Sequence, residues 1–94
     1  YDLPGWPSPT RRVRTTISFV LAEDSVAFLE IQDYARENVR VLFDGVLDAG
    51  EHQFSWDATD DVGTPVAPGI YFAVLRWQEG GVPQTREQKL FLYL

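Results

Sequence analysis

Three aspartates lying close together, Asp57, Asp60 and Asp61, are the residues whose type and spacing come nearest to chemistry in this chain. Carboxylates gathered on one loop suit a hard cation such as calcium, which takes several oxygen ligands from flexible backbone. The spacing lacks the regular alternation and the closing bidentate glutamate of an EF-hand, so calcium competes with Asx-turns and simple solvation as the reading of the cluster. The same carboxylates would serve as acid and base on a glycoside only if they flanked a cleft, which a small domain seldom encloses. His52 is the one histidine and there is no cysteine. Thiol catalysis, zinc fingers, iron–sulfur clusters and a histidine-based metal site or triad therefore lack the residues to build them. The expectation is a protein that is not an enzyme and carries no cofactor.

Binding needs fewer special residues than catalysis. Trp6, Trp77 and Tyr93 have the flat faces that stack on sugar rings, although core and interface packing accounts for the same side chains. Both ends of the chain carry more apolar surface than a solvent-facing terminus needs: Trp6 at the start, and an unbroken apolar run from Leu90 to Leu94 at the finish. Trp6, Arg11, Arg12, Leu92 and Leu94 are thus the candidate contacts for a partner. The competing expectation has Trp6 folding back over its own domain and the last strand lying at its centre. Fourteen acidic against eight basic residues give a net charge of −6, which repels phosphate backbones and argues against nucleic acid. The charge is uneven, because Arg11, Arg12 and Arg14 outnumber Asp2 in the opening segment.

The elements that must position these residues are legible from period and punctuation. Ninety-four residues, 45% of them hydrophobic, make one core and one domain. Pro4, Pro7 and Pro9 mark residues 1–12 as an extended proline-rich arm, with the domain proper over 13–94. Ile17, Phe19 and Leu21 then alternate with Thr16, Ser18 and Val20, as a half-buried strand requires. Ala27, Leu29 and Ile31 repeat the pattern in a second strand, and Val39 to Phe43 is β-branched and apolar enough for a third. Asp44-Gly45 reads as the turn that ends it. His52, Phe54 and Trp56 belong to a fourth strand; 57–69 is a structured loop rich in Asp, Gly and Pro; Ile70 to Gln78 is a central strand covered on both faces. Gly80-Gly81 turns it into the final strand, 85–94. Six or seven short strands without a useful amphipathic helix predict an all-β, immunoglobulin-like β-sandwich of about 6–7 antiparallel strands with no disulfide.

The stretch Ala49-Gly50-Glu51-His52-Gln53-Phe54-Ser55-Trp56-Asp57, followed by Asp60, Gly63, Val66 and Pro68-Gly69-Ile70-Tyr71-Phe72, resembles the FlgD-type Ig-like domain family. The likeness extends over about residues 13–92, taking in Thr15 to Phe19, Leu29 to Asp33, Val39 to Leu42, and Thr85-Arg86 with Lys89. Two places depart from the family pattern. Its Asn-Pro-Phe-Asn-Pro type of opening is Pro4-Gly5-Trp6-Pro7-Ser8-Pro9 here, and its glycine near 35 and 36 is replaced by Ala35-Arg36. The residues of the motif have structural explanations: Trp56 and Tyr71 pack inward, Tyr71 with its hydroxyl on a loop carbonyl, Asp57 and Asp60 accept backbone N–H bonds, and Gly63 and Gly69 adopt positive φ.

The resemblance implies a domain like the Ig-like part of the flagellar hook-capping protein, or like the related C-terminal domains of exported bacterial proteins, some of which are sorting signals. The resulting expectation is a module that sorts, anchors or assembles through protein contacts, its partner being another protein or its own parent polypeptide. A free-standing accessory subunit docked on an envelope or membrane complex, and a glycan-binding module, are the alternatives. Tyr1 at the start and the lack of methionine lead to the expectation of a processed form or an excised domain. The location expected is the periplasm, the cell surface or outside the cell. No run approaches the roughly 20 apolar residues that span a bilayer.

Overall fold

The computed structural model describes residues 15–92, which form six antiparallel strands and no helix. They are β1 (Thr15–Leu21), β2 (Ser25–Asp33), β3 (Asn38–Leu47), β4 (Gly50–Trp56), β5 (Gly69–Glu79) and β6 (Val82–Leu92). Two sheets face one another: β1 pairs with β4, and the second sheet runs β3-β2-β5-β6. This is an Ig-like β-sandwich, with the chain switching sheets between β1 and β2, β3 and β4, and β4 and β5. Arm residues 1–12 lie outside the described residues, as do Tyr93 and Leu94.

The alternation of apolar side chains is what the sandwich buries. Ile17, Phe19 and Leu21 of β1 face Ala27, Leu29 and Ile31 of β2 and Tyr71, Ala73 and Leu75 of β5 across the interior. Leu90 and Leu92 of β6 and Trp56 at the end of β4 close the same core. β2 and β5 lie in the middle of their sheet, and β5 is covered on its second face too, where Val74 is 1% exposed. At the β5–β6 hairpin, Gly80 and Gly81 have φ of 58° and 79°. Two successive positive φ values are the signature of a tight turn whose twist suits the flanking strands. The Gly80 N–H donates to the Glu23 carboxylate, tying this hairpin to the turn between β1 and β2.

Asp44-Gly45 is not a turn. β3 continues through both residues to Leu47, with Asp44 opposite Phe28 and Gly45 opposite Ala27 of β2. Pairing along the whole of β2 overrides the local turn preference. Gly45 takes no positive φ, and its missing side chain leaves room for the Phe43 ring, which a Cβ there would meet at 3.3 Å. The reversal comes at Asp48-Ala49, where the Ala49 N–H donates to Asp24 Oδ1 at 2.8 Å and His52 Nε2 donates to the Asp48 carbonyl at 2.6 Å.

Candidate functional site

The loop from Asp57 to Pro68, between β4 and β5, holds the aspartate cluster and joins the two sheets. Its anchor is Trp56, 1% exposed, whose Nε1 donates to the Thr59 carbonyl at 2.8 Å. The ring meets Tyr71 edge-on at 5.2 Å between centroids, and the Tyr71 hydroxyl donates to the Ala67 carbonyl at 2.5 Å. A tyrosine near the start of a strand bonding back to the loop before it is the tyrosine corner of Ig-like sandwiches. Burial, and then the negative charge of Asp33, push the Tyr71 phenol above its ordinary range. Each large ring at the corner thus pairs an apolar body in the core with a polar tip on a loop carbonyl.

The three aspartates are turned to three different tasks. Asp57 Oδ1 accepts from Thr59 Oγ1 at 2.5 Å and lies 3.7 Å from the Arg40 guanidinium. Arg40 Nη1 donates to Thr59 Oγ1 at 2.5 Å and to the Asp60 carbonyl at 3.1 Å. Asp60 Oδ1 accepts the N–H groups of Val62 and Thr64 at 3.1 and 2.9 Å, folding the tip around Gly63, whose φ is +87°. Asp61 turns instead to β3: its N–H donates to the Val39 carbonyl at 3.1 Å, and its Oδ1 accepts the Val41 N–H at 2.9 Å. A loop residue thereby occupies the outer edge of β3. Among the described residues no three His, Cys, Asp or Glu side chains converge as a metal site would need. The arrangement does loop-building chemistry: carboxylates stand where backbone donors would otherwise lack partners.

Sequence reasoning placed Trp56, Asp57, Asp60, Gly63, Gly69 and Tyr71 in this region, and the structure brings them to one corner. It missed Arg40 and Thr59, which join the loop to β3. The available signal was Arg40 itself, a cation inside the apolar run Val39 to Phe43. Of the candidate contacts at the chain ends, Trp6, Arg11, Arg12 and Leu94 lie outside the described residues. Leu92 is 5% exposed and belongs to the domain's own core, because the strand's inward parity falls on it. Its neighbour Phe91 faces outward, with Lys89 Nζ 5.7 Å from the ring centre. Trp77, a candidate sugar platform, packs half-buried against the core.

A second group, unmarked by any motif, covers the outer face of the four-stranded sheet. Glu30, 8% exposed, accepts from Gln32 Nε2 at 2.6 Å, Asn38 Nδ2 at 2.7 Å and Arg76 Nη1 at 3.3 Å. Burial pushes its carboxyl up, but the bonds from Gln32, Asn38 and Arg76 together with the Arg76 charge outweigh that and hold it below the usual carboxylate range. Beside it, Arg36 lies 3.8 Å over the Phe72 ring and pairs with Glu87 at 2.7 Å, while the Tyr34 ring stacks with Phe72 at 6.5 Å between centroids. Arg36 has φ of +69°, a conformation that favours glycine. It belongs to the Ala35-Arg36 pair near which the resemblance implied a glycine.

A family model described as the FlgD Ig-like domain matches residues 9–80. Among solved structures, the chain is similar to FlgD from P. aeruginosa, with a TM-score of 0.68 at 23% sequence identity. That match covers 83% of this chain and 61% of the other, so the chain spans under two thirds of the longer molecule. No curated protein sequence matches the chain.

Proposed function

The chain belongs to the FlgD Ig-like domain family, and from that footing we propose that it is a non-catalytic interaction module of an exported bacterial protein, acting in sorting, anchoring or assembly through protein contacts. The observation that carries this reading is how the motif residues are used. Trp56, Asp57, Asp60 and Tyr71 are all engaged within the β4–β5 corner, holding two sheets in register. What remains for other molecules is edges and outer faces, the surfaces through which sandwiches associate. Membership of the FlgD Ig-like domain family supports a part in assembly over recognition of a small ligand. No helix among the described residues is long and apolar enough to cross a membrane.

The intact mass of the protein from its native source, with the native mass of whatever co-purifies, tests the proposal. A 10.7 kDa chain held in a stoichiometric protein assembly, or the same residues as part of a longer exported polypeptide, supports it. A free monomer at native concentration overturns it, as would specific hits on a glycan array, which would favour the sugar-binding alternative.

A further inference from the structure

The two ends of the sandwich are unlike. Thr15 opens β1 opposite Trp56 and Leu92 closes β6 opposite Gly69, so both lie at the end that holds the β4–β5 loop. The other end is made of the β1–β2, β3–β4 and β5–β6 turns. The first of these fastens the other two, because Glu23 accepts the Gly80 N–H and Asp24 accepts the Ala49 N–H. Charge and apolar surface coincide there. Glu23, Asp24, Asp48, Glu51 and Glu79 lie in or beside the three turns, and residues 20–26, 46–51 and 78–83 include no lysine or arginine. None of these carboxylates has an ion-pair partner among the described residues, and no three acids converge as a metal site needs. Val20, Val26, Val46 and Val82 stand around them, each more than half exposed. Val26 pairs with Val46 on the side of the sheet turned away from the core. Beside that pair is a hollow of about 230 Å³, lined by Val26, Phe28, Arg76, Gln78 and Pro83. Its cation, Arg76, is already paired with Glu30.

We infer that this end is the docking surface of the assembly module proposed above, a reading on which the assignment rests, and that its occupant is a protein surface with leucine-like side chains set among lysines and arginines. Contiguous exposed apolar side chains with a charged rim are the anatomy of a protein contact. The sign of the rim selects the partner: like charge repels acidic proteins, phosphate backbones and anionic lipid alike, and a basic surface is attracted. The acids of the opposite end do not offer the same attraction. Asp57, Asp60 and Asp61 are spent on Thr59, Arg40 and backbone N–H groups of their own domain. The ties from Glu23 and Asp24 hold the docking end in one shape before contact, which lowers the ordering cost of binding.

Amide chemical shifts of the full 94-residue chain, titrated with a short synthetic peptide of alternating lysine and leucine, read the surface. The expected shifts saturate, gather at Val26, Val46 and Gln78 to Val82, and fade as salt is added, while the glutamate–leucine counterpart produces none. Val46→Lys is expected to weaken the peptide at least about tenfold. Val62→Lys, on a still more exposed valine beside Asp60 and Asp61 at the opposite end, leaves it unchanged. Shifts spread over both ends, equal effects of the two substitutions, or binding indifferent to salt overturn the assignment. Two other occupants overturn it as well: a second copy, seen as a dimer in sedimentation of the unaltered chain, and the chain's own opening segment, seen as Val26 and Val46 shifts that move without peptide when Arg11 and Arg12 are both changed to Ser. The native assembly separates this surface from the reading beneath it. An assembly weakened by Val46→Lys but not by Val62→Lys supports the surface, one that forms equally with both overturns the surface alone, and a native monomer overturns both.

Discussion

Residues in this domain earn their places through polar tips as much as apolar bodies. Tyr71→Phe removes one hydrogen bond to the Ala67 carbonyl while keeping the ring against Trp56. It should lower stability by about 1 kcal/mol, read by urea denaturation. Since the raised phenol pKa means that stability holds below the ordinary tyrosine range and is lost as pH climbs through the raised value, the same variant should flatten the alkaline limb. Glu30 acts at the acid end. Its folded carboxyl sits below the usual range, so its contribution is present above the unfolded value and lost as pH falls through the folded one. Glu30→Gln should therefore make acid unfolding less steep, as followed by circular dichroism during titration. Arg36 is a compromise between backbone and side chain. Arg36→Gly relieves a left-handed residue and Arg36→Ala keeps the strain, while both lose the contacts to Phe72 and Glu87. The glycine variant should be the more stable of the two by about 1 kcal/mol. The aspartate motif was visible in the sequence because Asp, Gly and Pro are local punctuation. Arg40 and Thr59 were not, because their roles exist only once β3 and the loop are side by side.

Elements were legible wherever one face is wet and the other dry. β1 begins and ends where its period-two pattern does, and Ile17, Phe19 and Leu21 face inward as that pattern requires. β3 is the instructive miss: Asp44-Gly45 carries a strong turn signature, yet backbone pairing with Phe28 and Ala27 decides otherwise. The hairpin between β5 and β6 is the opposite case, where Gly80-Gly81 both signals and makes the turn. Gly81→Val places a β-branched residue at φ of 79° and should cost about 1–2 kcal/mol, measured as a shift in the denaturation midpoint. Gly45, which has ordinary φ, carries no such backbone strain, and only the 3.3 Å approach of Phe43 resists a Cβ there.

For the whole molecule, the engagement of all three loop aspartates bears on ions. Asp57 faces Thr59 and Arg40, Asp60 its own loop tip, and Asp61 the edge of β3. Drawing them together around a cation would break the bonds that hold the corner, so millimolar calcium should leave the melting temperature unchanged; a saturable rise would bring the metal reading back. Composition and period by themselves determined an all-β sandwich with one core and the inward parity of nearly every strand, while the motif residues came from the resemblance to the family. Composition and period could do so because burial of one face and the chemistry of turns are local constraints, written every second residue or within four. The tertiary structure alone decided that Asp44-Gly45 lies inside a strand, that Leu92 belongs to the core, that Glu30 is held under a lattice of polar side chains, and that exposed valines and carboxylates share one end of the sandwich. Each of these depends on which strand lies beside which, a pairing between residues distant in the chain that no local pattern encodes.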